Sequence, residues 1–153
     1  MVILVYNINM KIDEIRKLIE QDTRINSSEL DVEALKLPQI HNKYLCLLMD
    51  EKLLSSKLDS DFKILNKNKW LYSSGKMSQE QLDDLNWTPF DLNLLKTDLD
   101  RFIDSDEEVI LLYNKCLIQK EKVNYIEQVV KLISNKIWNI RAALDWIKFT
   151  QGV

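Results

Sequence analysis

The sequence contains few of the residues that interrupt helices. Among its 153 residues there are only two glycines and two prolines. Sandwiches and barrels need many tight turns, and in those turns glycine and proline supply the required backbone angles. The composition therefore argues against such folds and predicts an all-α or mainly α protein.

The residues that carry most metal and enzyme chemistry are also scarce. His41 is the only histidine, and Cys46 and Cys116 are the only cysteines. None of them stands at a spacing typical of a zinc site or of a nucleophile with its base. Neither Gly75 nor Gly152 precedes Lys-Ser or Lys-Thr, as a phosphate-binding loop requires. We expect no metal, no cofactor and no enzymatic activity.

Long apolar runs are missing as well. The opening segment Met1–Tyr6 is apolar, but it is too short for a membrane span or for the core of a signal peptide. It also lacks the basic region of a signal peptide. The sequence therefore predicts an intracellular protein without a membrane partner.

A heptad pattern is abundant in the last third of the chain. Apolar residues recur at alternating steps of three and four from Val109 to Ile147, with Gln119 as the single polar interruption. This pattern predicts an oligomerisation helix. The residues assigned to its seam are Val123, Ile126, Val130, Ile133, Ile137, Ile140, Leu144 and Ile147. Isoleucine at the d positions, and a second apolar stripe that includes Leu111 and Ile118, favour assembly beyond a dimer.

Capping signals and helix breakers predict the boundaries of the helices. We expect helices over residues 10–21, 29–35, 38–72, 78–85 and 105–149. Pro38 is interpreted as the start of a new helix, and Ser78 with Gln81 resembles a capping box. Ser105 is expected to cap the last helix. Residues 90–103 are ambiguous between a short helix and an extended segment.

Charge is distributed in blocks. From Phe62 to Lys76 every charged residue is basic, whereas the stretch from Glu80 to Glu108 is mostly acidic. The acidic block has two interpretations, solvated surface or a docking surface for a basic partner. The last helix is expected to have a basic solvent face, formed by Lys115, Lys120, Lys122, Lys131, Lys136, Arg141 and Lys148.

The basic block also contains aromatic residues. Single-stranded nucleic acid needs cations for its phosphates and flat rings on which bases stack. The predicted DNA-binding residues are Lys63, Lys67, Lys69, Trp70, Tyr72 and Lys76. A simpler interpretation remains open, in which Trp70 and Tyr72 belong to the core beside a solvated lysine face.

Four segments of the chain resemble a known family. They are SELDVEALKLPQIHNKY at 28–44, KWLYSSGK at 69–76, PFDL through LKTDLD to DSDEE at 89–108, and IRAALDWIKF at 140–149. In order and spacing these segments resemble the recombination mediator family UvsY of T-even-type bacteriophages and cyanophages. The resemblance extends over most of the chain from Met10 onward.

The resemblance implies a non-enzymatic protein of the infected bacterial host's cytoplasm. Such a protein binds single-stranded DNA, promotes loading of a RecA-like phage recombinase and helps displace the phage single-strand-binding protein. It also implies a hexameric or heptameric ring, held by the C-terminal helix. The basic pair that the family uses for DNA falls on Lys67 and Lys69.

These expectations divide the chain into a helical DNA-binding region, residues 1–104, and an oligomerisation helix, residues 105–153, within a single structural unit. Two alternatives remain. One is an oligomeric coiled-coil scaffold that does not bind DNA. The other is a monomeric hairpin in which the helix over 38–72 packs on the last helix and uses the heptads internally.

Overall fold

Helices account for most of the residues that the computed structural model describes, which are 11–92 and 94–152. In chain order the helices are α1 (Ile12–Asp22), α2 (Leu30–Ser73), α3 (Gln79–Leu85), α4 (Leu99–Asp104) and α5 (Glu107–Gln151). These residues include no strand. The prediction of a mainly α fold with a long C-terminal helix is confirmed. The apolar segment Met1–Tyr6 lies outside the described residues.

The 44-residue helix α2 continues through Pro38. The expected break before this residue is wrong. A proline inside a helix removes one hydrogen bond, but packing of an apolar face supplies most of a helix's stability. Leu30 and Leu37, which precede the proline, are buried with Ile140 of α5. Tyr44, which follows it, is buried in a second cluster that also contains residues of α5. Contacts with α5 therefore hold α2 on both sides of the proline.

Local capping fixes the starts of α3 and α5. Ser78 and Gln81 form the predicted capping box of α3: the Ser78 hydroxyl accepts from the Gln81 amide at 3.3 Å, and the Ser78 amide donates to Gln81 Oε1 at 3.1 Å. At α5 the cap is Asp106 rather than Ser105. Asp106 Oδ1 accepts from the amides of Glu108 and Val109 at 3.0 and 3.3 Å. A carboxylate at this position accepts hydrogen bonds from two free amides, and its negative charge is stabilised by the positive end of the helix dipole.

The chain divides into two compact units. The first contains the chain up to Leu54 and from Glu121 onward, and the second contains Ser55–Lys120. Both long helices contribute a segment to each unit.

The first unit has a core of three helices. Its buried members are Ile15 and Ile19 of α1, Tyr44, Leu47 and Leu48 of α2, and Val123, Ile126, Val129 and Ile133 of α5. The fully buried Tyr44 donates its hydroxyl to Asp22 Oδ2 at 2.8 Å. Burial, together with this hydrogen bond, raises the pKa of Tyr44. Because Val123, Ile126 and Ile133 are among these buried residues, part of the predicted heptad seam packs within the chain.

Two lysines of α5 also belong to the buried face of the first unit. Lys122 Nζ lies 2.7 Å from the carboxylate of Glu51, and both side chains are almost fully buried. Lys136 Nζ donates to the Thr23 carbonyl at 2.5 Å, and burial lowers the pKa of Lys136. The expectation that both lysines belong to the solvent face of α5 is wrong, because each has a polar partner on α2 or next to α1.

The second unit has a small apolar core. Leu99 and Ile103 of α4 and Val109 of α5 are buried there, with Phe62 and Leu65 of α2 packed against them. The ambiguous stretch 90–103 contains all of α4 except Asp104 and, before the helix, a segment without regular structure at its described residues. This unit contains all six residues predicted to bind DNA.

Candidate nucleic-acid interface

The end of α2 is shaped by a glycine. Gly75 has a φ of 66°, a left-handed conformation that glycine adopts without strain. Its amide donates to the Tyr72 carbonyl at 3.1 Å, and the Lys76 amide donates to the Leu71 carbonyl at 2.9 Å. These are the two hydrogen bonds of a Schellman motif. The turn brings Lys76 back against the helix, where its Nζ lies 4.5 Å from the centre of the Trp70 ring.

Three of the predicted residues share one face of α2. Lys63, Lys67 and Trp70 are spaced by four and three residues, which places them in line on a helix. We call these three residues the α2 strip. Both lysines are exposed, and Trp70 is 39% exposed. Within the described part of the chain, no carboxylate forms an ion pair with either lysine, so both ammonium groups are available to an anionic ligand.

Lys69, which was also predicted to bind DNA, does not belong to the α2 strip. Its side chain is only 13% exposed, and its Nζ is 2.8 Å from Asp106 and 2.7 Å from Glu108. The same ammonium lies 4.8 Å from the centre of the Trp87 ring. Burial by itself lowers the pKa of Lys69, but the hydrogen bonds that its ammonium donates to the two carboxylates outweigh burial and raise the pKa. Lys69 connects α2 to the start of α5, and two acidic partners balance its charge.

Tyr72 belongs to an aromatic cluster. Its ring centre lies 5.0 Å from that of Trp87 and 5.1 Å from that of Phe90, in edge-on contacts. Phe90 in turn lies 5.7 Å from Phe102 of α4. Tyr72 is half-buried, as the core interpretation of this residue expects, while Trp70 keeps an exposed surface.

A groove of about 580 Å³ lies beside Trp70, and we call it the Trp70 groove. One wall comes from the end of α2 and the turn at Gly75, including Lys76. The other includes Phe90, Lys96 and Asp100. Neither Phe90 nor Lys96 is among the residues that the sequence predicts to bind DNA. Lys96 is one of only two cations in the acidic block, with Arg101, and no sequence pattern connects it with Trp70.

The ion pair of Lys69 and Asp106 predicts how stability depends on pH. Burial raises the pKa of Asp106, but the hydrogen bonds from Lys69 and from the α5 amides outweigh it and leave the pKa lowered. A lowered carboxyl pKa stabilises the fold at neutral pH, and this stabilisation is lost as the pH falls below about 4. Asp106→Asn should cost about 1–3 kcal/mol at pH 7 and much less at pH 3, measured by urea unfolding.

Asp104 provides the matched control for that substitution. It is exposed, and no cation within the described residues pairs with it. Asp104→Asn should therefore leave the free energy of unfolding nearly unchanged at both pH values. An Asp106→Asn penalty that is equal at pH 7 and pH 3 would contradict the assignment.

The predicted seam of α5 is divided between the core and the surface. Val123, Ile126, Ile133 and Ile140 are buried within the first unit, and Val130 is half-buried. Ile137, Leu144 and Ile147 remain 43%, 38% and 37% exposed. Near the end of α5, Trp146 and Phe149 are more exposed still. A large apolar surface of α5 thus has no partner within the part of its own unit that the structure describes.

Two further features are absent from the described residues. No helix there is both long and apolar enough to cross a membrane. The same residues hold no group of three or more His, Cys, Asp or Glu side chains arranged to bind a metal ion.

Comparison with known proteins identifies the family. Residues 18–153 match the family model described as "Recombination, repair and ssDNA binding protein UvsY". The fold is similar to crystal structures of the bacteriophage T4 recombination mediator protein UvsY. In lattice type II the TM-score is 0.79 at 16% identity, covering 94% of this chain and 99% of that chain. In lattice type IV it is 0.79 at 15% identity, covering 92% and 99%. No curated protein matches the sequence. Since the family model covers most of the chain, the protein belongs to the UvsY family.

Proposed function

We propose that this protein is a recombination mediator that binds single-stranded DNA along the α2 strip. The observation that carries the proposal is the strip itself, in a chain of the UvsY family. Its two exposed lysines have no ion pair among the described residues and lie in line with a partly exposed tryptophan. Lysines neutralise phosphates, and an aromatic ring stacks bases without regard to sequence. Lys76, which lies against the Trp70 ring, extends the strip around the end of α2.

The proposed role requires only linked binding equilibria. A homo-oligomer that displays one α2 strip per subunit binds a strand at several points, so that weak sites combine into tight binding. Bending the strand between these points weakens its contacts with the single-strand-binding protein and favours the conformation to which a RecA-like recombinase binds. No bond is made or broken, and the proposed function is not enzymatic.

Removing the two lysines of the α2 strip tests the DNA site. For Lys63→Ala/Lys67→Ala we expect weaker binding to a labelled oligo-dT and a less steep fall of log K with log salt. The slope should decrease by about 0.7 for every phosphate contact that is lost. Fluorescence anisotropy across a salt titration gives both quantities.

Lys57→Ala is the control for this experiment. Lys57 is exposed on α2 but lies about 120° around the helix from Lys63. Its substitution should leave the slope unchanged. A Lys63→Ala/Lys67→Ala variant with the slope of the unaltered protein would place the DNA site elsewhere. Lys69→Ala is less informative, because it also breaks two ion pairs.

The oligomer that we propose is a hexameric or heptameric ring. Its interface uses the exposed part of the seam, Ile137, Leu144 and Ile147, whereas the buried part serves the chain's own core. In functional terms, residues 1–104 supply DNA binding and residues 105–153 supply assembly. The proposed location is the cytoplasm of the infected bacterial host.

The mediator role itself has a direct assay. Recombinase filament formation is followed on a strand already covered by single-strand-binding protein. Adding this protein should shorten the lag before filaments form, and Lys63→Ala/Lys67→Ala should restore the lag. An oligomer that binds neither DNA nor recombinase would instead support a coiled-coil scaffold, which the exposed apolar surface of α5 also fits.

A further inference from the structure

The Trp70 groove has the composition of a nucleotide site. It combines aromatic surface from Trp70 and Phe90 with the ammonium groups of Lys76 and Lys96, and a single carboxylate, Asp100. Its volume of about 580 Å³ lies in the range typical of pockets for small organic ligands. A nucleotide has matching parts, a flat base and an anionic phosphate.

The groove is held in place from both sides. Phe90 is fixed by edge-on contacts with Tyr72 and Phe102. Lys76 is fixed by the hydrogen-bonded turn at Gly75 and by the Trp70 ring. A preorganised site loses less entropy when its ligand binds than a mobile one.

The phosphate must be bound by side chains. The amides of Ser74, Gly75 and Lys76 already donate to carbonyls of α2, so the turn offers no ring of free amides for an anion. Lys76 and Lys96 are exposed, and no carboxylate of the described residues forms an ion pair with either. They are the cations of this groove that can contact a phosphate.

We propose that the Trp70 groove holds one nucleotide of the bound single strand, with its base against Trp70 and Phe90 and its phosphate near Lys76 and Lys96. This inference rests on the proposed function, because the strand reaches the groove from the α2 strip. Trp70 is the last residue of the strip and also lines the groove, so the two surfaces are continuous. The proposal adds Phe90 and Lys96, which line the groove, to the DNA-binding residues.

The test compares two strands that differ only in their bases. Anisotropy is measured with labelled oligo-dT and with an abasic strand of equal length, which keeps every phosphate. For Trp70→Ala we expect binding to oligo-dT to weaken roughly fivefold or more, as expected when one base loses its stacking partner. Binding to the abasic strand should change by less than twofold. Trp70→Phe should retain most of the affinity for oligo-dT.

The lysine of the groove has its own control. Lys96→Ala should weaken binding to both strands and reduce the salt slope by about 0.7 per lost contact. Lys115→Ala, an exposed lysine of α5 in the same unit, should change neither. Thermal unfolding of each variant separates loss of binding from loss of fold.

Each outcome decides a different claim. If the unaltered protein does not bind oligo-dT, the proposed function itself is wrong. If it binds but Trp70→Ala has no effect, or has an equal effect on the abasic strand, the groove does not hold a base. If free thymidine monophosphate competes as well as a strand of equal nucleotide concentration, the groove is a site for a free nucleotide, and the proposal of a strand is overturned.

Discussion

Leu144→Asp/Ile147→Asp should break the oligomer into smaller, still folded species and weaken binding to single-stranded DNA by roughly 100-fold or more. Both residues are exposed on the chain itself, so the substitution leaves the core of the first unit intact. In an assembled interface it would bury carboxylates without partners, which costs several kcal/mol per charge. Loss of assembly removes the multivalent contribution to DNA affinity, typically a factor of 100 to 10,000.

Ile133→Asp is the contrasting variant. Ile133 is almost fully buried in the core that also contains Tyr44, Leu47 and Leu48. A carboxylate there should therefore unfold the protein rather than dissociate the oligomer. Light scattering gives the mass of each variant, and circular dichroism gives its helix content. A Leu144→Asp/Ile147→Asp variant that keeps the full mass would show that the exposed seam is not the interface.

Glu51→Ala should lower the free energy of unfolding by about 3–5 kcal/mol, the typical cost of leaving one charge of a buried pair without its partner. Glu51 and Lys122 are both nearly inaccessible to solvent and their charged atoms are 2.7 Å apart. For a domain of this size, that loss corresponds to a fall in Tm of roughly 6–20 °C. Urea unfolding and a thermal scan measure the two quantities.

The matched control removes both charges. Glu51→Met/Lys122→Met should be clearly more stable than Glu51→Ala, because apolar side chains of similar volume often replace a buried pair at little cost. The double variant should lose less free energy of unfolding than Glu51→Met and Lys122→Met lose together, because the interaction of the pair is removed only once. Strictly additive losses would show that the two charges do not interact. A Glu51→Ala cost below about 1 kcal/mol would contradict the assignment of a buried pair.

Much of the fold was predictable from local chemistry. The scarcity of glycine and proline indicated helices, and the Ser78 and Gln81 capping box was correct in detail. Such signals depend on neighbours in the sequence. The interruption expected at Pro38 failed because the stabilising contact, to Ile140, comes from a distant part of the chain.

The heptad pattern was harder to interpret. It identifies a long amphipathic helix, but periodicity alone does not distinguish a partner in the same chain from another copy. In the first unit the buried face of α5 is rotated to include Lys122 and Lys136, whose partners no local pattern reveals.

The candidate site shows the same limitation. The sequence placed Lys63, Lys67 and Trp70 near the end of a long helix, and they lie in the last turns of α2. The sequence did not reveal that Asp106 and Glu108 form ion pairs with Lys69. It also missed Phe90 and Lys96, because a groove assembled from separate segments has no signature in the sequence.

The most direct test of the account is light scattering after size exclusion, on the unaltered protein with and without an oligo-dT of some tens of nucleotides, followed by a salt titration of the complex. We expect a hexameric or heptameric species that binds the oligonucleotide and releases it as the salt concentration rises. A monomer, or an oligomer that leaves the oligonucleotide free at low salt, would contradict the proposed function.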